Sequence, residues 1–186
     1  MHGRTRTRRL LFSLAVAALV ANGCAGTGAS VRPAVPGARK TELDQYHRLA
    51  LAVTKTDGVT VSDADLERIR GRIVDAVRKK QADRYQEIVP IAPGEPTGPT
   101  LAVTVQVTRY DKGSAFARAM LAGLGQIHID ARVVLRDAAR DVVLGEYDIK
   151  KTFAWGGIYG ATTRIEDVEV GFAEGVAALV LAPETP

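Results

Sequence analysis

Cysteine is almost absent from this chain. Cys24 is the only one among 186 residues. No intramolecular disulfide can form, so the fold must hold by packing alone. Histidine is scarce as well, and beyond residue 24 only His47 and His128 remain. His128 and Asp130 share one strand face but supply two ligands, where zinc takes three or four. Pairing of Asp130 with Arg132 or Arg136 on a solvated face is the reading adopted; no metal and no cofactor are expected. There is no nucleophile elbow, no HExxH and no P-loop, so no catalytic residue is assigned and the protein is not read as an enzyme. No apolar run approaches the roughly twenty residues that a membrane-spanning helix requires. An excess of one charge is missing too. The chain carries 25 Lys and Arg against 21 Asp and Glu, but Arg4, Arg6, Arg8 and Arg9 account for the whole surplus of four. From residue 24 onward the formal charge is zero, which removes the electrostatic case for nucleic-acid binding.

What is present begins with MHGRTRTRRLLFSLAVAALVANGC. A cationic head precedes the twelve-residue apolar run Leu10 to Ala21, and small residues follow. That order is a secretory signal. Ala21-Asn22-Gly23-Cys24 resembles the lipobox of bacterial lipoproteins, with Ala21 where that family prefers Leu. The resemblance implies cleavage before Cys24 and lipid attachment to its thiol, with further acylation of the new amino terminus by a fatty acid such as palmitate. Two or more acyl chains anchor a protein stably without a transmembrane helix. Ala25 stands where the family's inner-membrane retention signal places Asp, which implies an outer-membrane location facing the periplasm, or the cell membrane in a host without an outer membrane. The expected organisation is a signal peptide over 1–23, a flexible tether over 24–40 and one periplasmic domain over 41–186.

Within that domain, Leu49, Leu51 and Val53 alternate as a first strand. A helix is predicted over 63–82, with Ser62 as N-cap and Leu66, Ile69, Ile73 and Val77 as its apolar stripe. A short strand near 85–89 precedes Pro90, Pro93, Pro96 and Pro99, read as a stiff surface loop rather than a polyproline ligand. Three half-buried antiparallel strands follow near 101–108, 127–136 and 143–153. The last helix is predicted to open with a capping box, Thr163 to Glu166. Ile165, Val168, Phe172, Val176 and Leu179 form its stripe, and Gly171, Gly175 and Ala178 a seam of small residues. The fold class expected is α/β: a two-layer sandwich with a mixed, mostly antiparallel sheet of four to five strands and two helices on one face. The other sheet face is polar.

The segment GSAFARAMLAGLGQ, 113–126, is the most informative. It joins two strands that a short polar turn would connect, yet it carries Phe116, Met120, Leu121 and Leu124, with Gly113, Gly123 and Gly125 as hinges. Two readings stay open: a short helix folded onto the core, or an exposed element that contacts a partner or the bilayer. Trp155 and Tyr159, in a Gly-rich turn, are further candidate contacts.

Residues from about 101 to 182 resemble a bacterial lipoprotein family known only as a domain of unknown function. The shared frame is a strand, a Gly-Ser with small and basic residues, Gly123-Leu124-Gly125, a strand ending in Asp137, a strand with Gly145, a Gly-rich turn and a terminal helix. Its architecture is similar to the TolB amino-terminal domain, the curli-secretion lipoprotein and the lipoprotein activators of penicillin-binding proteins. The resemblance implies a non-catalytic protein that binds or helps assemble another envelope component, and it supplies no catalytic residue. Two alternatives are kept. One is a small hydrolase or glycan-processing enzyme that uses the polar sheet face; clustering of His128, Asp130 and Glu146 would favour it. The other is an oligomeric subunit of a secretion or transport complex.

Overall fold

The structure is a computed structural model that describes residues 29–34, 40–81, 83–91, 98–121, 124–154 and 157–181. Cys24, Trp155 and the middle of the proline-rich segment lie outside the described residues. Six strands form one sheet in the order β1-β6-β5-β4-β2-β3. They are β1 (Ser30–Pro33), β2 (Arg48–Lys55), β3 (Glu87–Pro90), β4 (Thr100–Asp111), β5 (Ile127–Asp137) and β6 (Val142–Phe153). The pairs β1–β6, β6–β5 and β5–β4 are antiparallel, whereas β4–β2 and β2–β3 are parallel.

Two long helices, α2 (Asp63–Lys80) and α5 (Ile165–Leu181), cover one sheet face. Three short ones, α1 (Lys40–Leu43), α3 (Ala115–Met120) and α4 (Gly157–Thr162), complete the elements. Alternation decides which sheet face is covered. Leu101, Val103, Val105 and Val107 on β4, and Ile127, Ile129, Ala131, Val133 and Leu135 on β5, are buried at every second position. They meet Ile69, Ile73 and Val77 of α2 and Ile165, Val168, Phe172, Val176 and Leu179 of α5. A one-residue bulge after Val107 resets the alternation, so that Tyr110 is also buried. The Ser62 side chain caps α2 as predicted, accepting from the Asp65 amide at 3.1 Å.

Four details differ from the sequence reading. The two expected helices are joined by three short ones, α1, α3 and α4, each of four to six residues and so too short to write a full apolar period into the chain. The sheet has six strands because residues 30–33, placed in the tether, form β1. All four of its residues are exposed, so β1 carries no alternation for a pattern to reveal; it is held by backbone pairing and by the Ser30 hydroxyl, which donates to the Lys150 carbonyl at 3.2 Å. Helix α5 begins at Ile165, one residue later than a Thr163 cap implies. Asp167, not Glu166, reaches back, its carboxylate accepting from the Arg164 amide at 2.9 Å. The small-residue seam also narrows. Ala178 is exposed, and the close approach occurs at Gly175, where an added Cβ would lie 2.6 Å from Ala29 Cβ.

Candidate functional site

At one end of the sheet β4 stops, β5 starts and β6 stops. The connections there build a cap from α3 and α4. Ser114 opens α3 by accepting from the Ala117 amide at 3.2 Å. The helix then turns Arg118 inward. Its guanidinium is part of a side chain only 3 % exposed, and it donates solely to carbonyl groups among the bonds described. Nε reaches Gly160 O at 2.7 Å, Nη1 reaches Gly125 O at 2.6 Å and Lys112 O at 3.4 Å, and Nη2 reaches Thr163 O at 3.0 Å. A guanidinium offers five donors in a fixed plane, so one side chain ties both ends of the α3 segment to Gly160 within α4 and to Thr163 just after it. Gly113 and Gly125 have φ of 60° and 69°. A Cβ at Gly113 would run into the carbonyls of Gly125 and Gln126, and one at Gly125 into the carbonyl of Ser114. These two glycines are therefore tight packing points, not the hinges expected; Gly123 lies outside the described residues.

With Arg118 facing in, the apolar side chains face out. Phe116 is 73 % exposed, Met120 68 %, Leu121 53 % and Leu124 56 %. Phe116 and Met120 are one helical turn apart and so share a face. Both sequence readings hold in part: a short helix does form, but the four apolar residues are not core. Tyr159 belongs to α4, and its side chain is outside the described residues. Four of the six contact residues that the sequence picked out are thus exposed in or just after α3.

The uncovered sheet face is a mosaic of pairs. Arg132 binds Asp148 at 3.3 Å and Arg136 binds Asp141 at 2.8 Å, not Asp130 as expected. Cross-strand neighbours such as Arg132 and Asp148 are in register, closer than next-nearest residues along one strand, about 6.8 Å apart. His128 Nδ1 lies 3.1 Å from Thr152 Oγ1. Burial, then the charge of Arg109, holds its pKa below the ordinary histidine value. Glu146 does not join His128 and Asp130. Asp130 pairs with Lys150, four residues along β6, or about 13 Å. Among the described residues no three His, Cys, Asp or Glu side chains gather to hold a metal ion.

The strongest charge cluster lies elsewhere. Glu169 of α5 is fully buried. Arg68 donates to it through Nε and Nη2, both at 2.8 Å, Tyr110 Oη donates at 2.8 Å and Arg72 Nε stands at 3.2 Å. Arg68 also binds Asp65 at 2.5 Å, with Lys112 3.6 Å from the same carboxylate. Burial opposes ionisation of Asp65, but hydrogen bonds from Ser62 and Arg68 and the nearby cations outweigh it and hold its pKa down at about 2. Burial and then the bond to Glu169 push the Tyr110 phenol well above its ordinary range. This network joins α2, α5 and β4 in their packing. Its members bind one another across three elements, which is the chemistry of a brace. Sequence reasoning did not single out Glu169. The missed signal was position: Glu169 falls four residues after Ile165 and three before Phe172, inside the apolar stripe.

A family model described as "Domain of unknown function (DUF4410)" matches residues 40–157. Among solved structures, the PelC dodecamer from Paraburkholderia phytofirmans is 11 % identical with a TM-score of 0.52, covering 84 % of this chain and 99 % of that one. A single-substitution variant of it gives a TM-score of 0.54. A Xanthomonas campestris protein assigned to family model DUF330 is 10 % identical with a TM-score of 0.51, over 80 % of this chain and 92 % of that one. At such identities the likeness establishes the shared fold. No curated protein matches.

Proposed function

The chain belongs to the family described as Domain of unknown function (DUF4410), and from that premise we propose that it is a non-catalytic envelope lipoprotein. It is anchored through Cys24, and its domain meets another envelope component through the apolar α3 facet. The observation that carries this reading is the combination of four exposed apolar side chains with an element locked from within by Arg118. Loose apolar loops collapse onto a core; a held one stays presented. Single exposed apolar residues are ordinary, whereas a contiguous group marks a contact surface. The outer membrane, facing the periplasm, is the proposed location.

The test replaces Phe116, Met120, Leu121 and Leu124 with Ser together and follows crosslinking to envelope components in native membranes. The expected outcome is loss of the contacts with an unchanged melting temperature, since none of the four is core. Persistence of the same crosslinks would overturn the facet's role.

A second reading is self-assembly. PelC, whose fold this chain shares, is described as a dodecamer. Sedimentation of the detergent-solubilised protein distinguishes a multimer of this chain from a monomer that engages something else.

A further inference from the structure

We propose that what the α3 facet meets is the surface of the bilayer in which Cys24 is anchored. This rests on the lipoprotein reading above and specifies its contact. The argument starts from the direction of β1. Ser30 pairs with Lys150 and Pro33 with Tyr147. Followed backwards toward Cys24, the chain therefore heads to the end of β6 at Phe153, which is the end that carries α3 and α4. Beyond Ser30 the sheet extends only from Lys150 to Phe153, about 10 Å along the strand.

Covalent geometry then limits the anchor. Ala29 is seated against α5 at Gly175. Four residues lie between it and Cys24, so the five steps of chain span at most about 17 Å when fully extended. A lipid at Cys24 cannot carry the domain far from the bilayer, and the direction of β1 turns the capped end toward it. The tether predicted over 24–40 would have allowed any orientation; with β1 paired, only its first few residues remain to set the distance.

The cap has the chemistry of that surface. Its two connecting segments, 112–126 and 154–165, contain no Asp or Glu, while Lys112 and Arg164 are cationic. The turn at the opposite end carries Asp137 and Asp141, with Arg140 and Arg136 as their ion-pair partners. Phenylalanine, methionine and leucine side chains projecting from a short helix suit the boundary between headgroups and acyl chains, where apolar faces bury a few ångströms deep. The Arg118 lock means that little of the element has to be ordered on contact.

The full acylated protein, reconstituted in phosphatidylethanolamine–phosphatidylglycerol vesicles, tests this. Acylation occupies the Cys24 thiol, so an introduced cysteine is the single labelling site. An environment-sensitive fluorophore goes on Met120→Cys, and, as the distant reference, on Ala139→Cys in the turn after β5. The expected result is loss of fluorescence with acyl-brominated lipids at position 120 and none at 139. No quenching at 120, in protein that remains with the vesicles, overturns bilayer contact while leaving the anchor intact. Disulfide coupling of Met120→Cys copies to each other without quenching overturns it in favour of self-association. Recovery of Cys24→Ser protein in the membrane fraction at the level of the unsubstituted chain overturns the anchor itself, and with it this inference.

Discussion

Glu169 is where one side chain matters most to stability. Its carboxylate is fully buried and depends on Arg68, Arg72 and Tyr110. Removing one partner of a buried ion pair costs about 3–5 kcal/mol, because the remaining charge is left uncompensated. Arg68→Ala should fall at the lower end, about 3 kcal/mol, since Arg72 and Tyr110 remain; urea unfolding measures it. The pH dependence follows from two carboxylates. Asp65 is held at about 2. Asp137 is also lowered: burial opposes the charge, but the Arg140 and Ala139 amides and the Tyr46 hydroxyl overcome it. A carboxyl that ionises more readily folded than unfolded lends stability above its unfolded pKa and loses it as pH falls. Stability should therefore decline as pH drops below about 4 toward 2, and Asp65→Asn should flatten that decline. Tyr46 has the opposite sign. Burial and the bond to Asp137 push it up to about 12, so its contribution is full below about 10 and fades as pH rises from there. His128→Ala and Asp130→Ala, on the half-open sheet face, should each change stability by no more than about 0.5 kcal/mol. Loss of a cellular phenotype at normal stability and abundance would instead point to chemistry on that face.

Among the elements, the cap and β1 are the informative pair. Arg118→Met removes the donors that satisfy four carbonyls across α3 and α4. Faster amide exchange confined to 113–126 and 157–163 is expected, with the α2 and α5 amides unchanged. Gly175→Val inserts atoms where Ala29 already sits; overpacking of this kind costs about 1–3 kcal/mol, and exchange should rise at Val31 and its partner Ile149. The same elements show what the sequence makes legible. Strands β4, β5 and β6 and helices α2 and α5 are readable because each buries one face and so writes its period into the chain. β1 leaves no such mark, since an edge strand with four exposed residues buries no face. The α3 segment announced itself by apolar residues where a turn should be polar, but sequence could not choose inside from outside. That choice was made by Arg118, a residue whose burial is unusual enough to be discounted in advance. Glu169 was hidden for the same reason.

At the scale of the whole molecule, the proposed anchor and the sheet would form one mechanical path. Cys24→Ser should shift the protein from membrane to soluble periplasm or leave it unprocessed, as fractionation after a salt wash would register. The sheet's long strands, β4 to β6, run between the capped end and the turn after β5. The outermost strand, β1, is the part nearest the proposed anchor. A load applied at the lipid and directed away from the capped end acts along the axis of β1. It would therefore strain the β1–β6 hydrogen bonds in shear, all at once, and not peel them open one after another. A four-residue edge strand that adds little to equilibrium stability is thus oriented to resist pulling, and a sideways load on the same bonds would meet far less opposition.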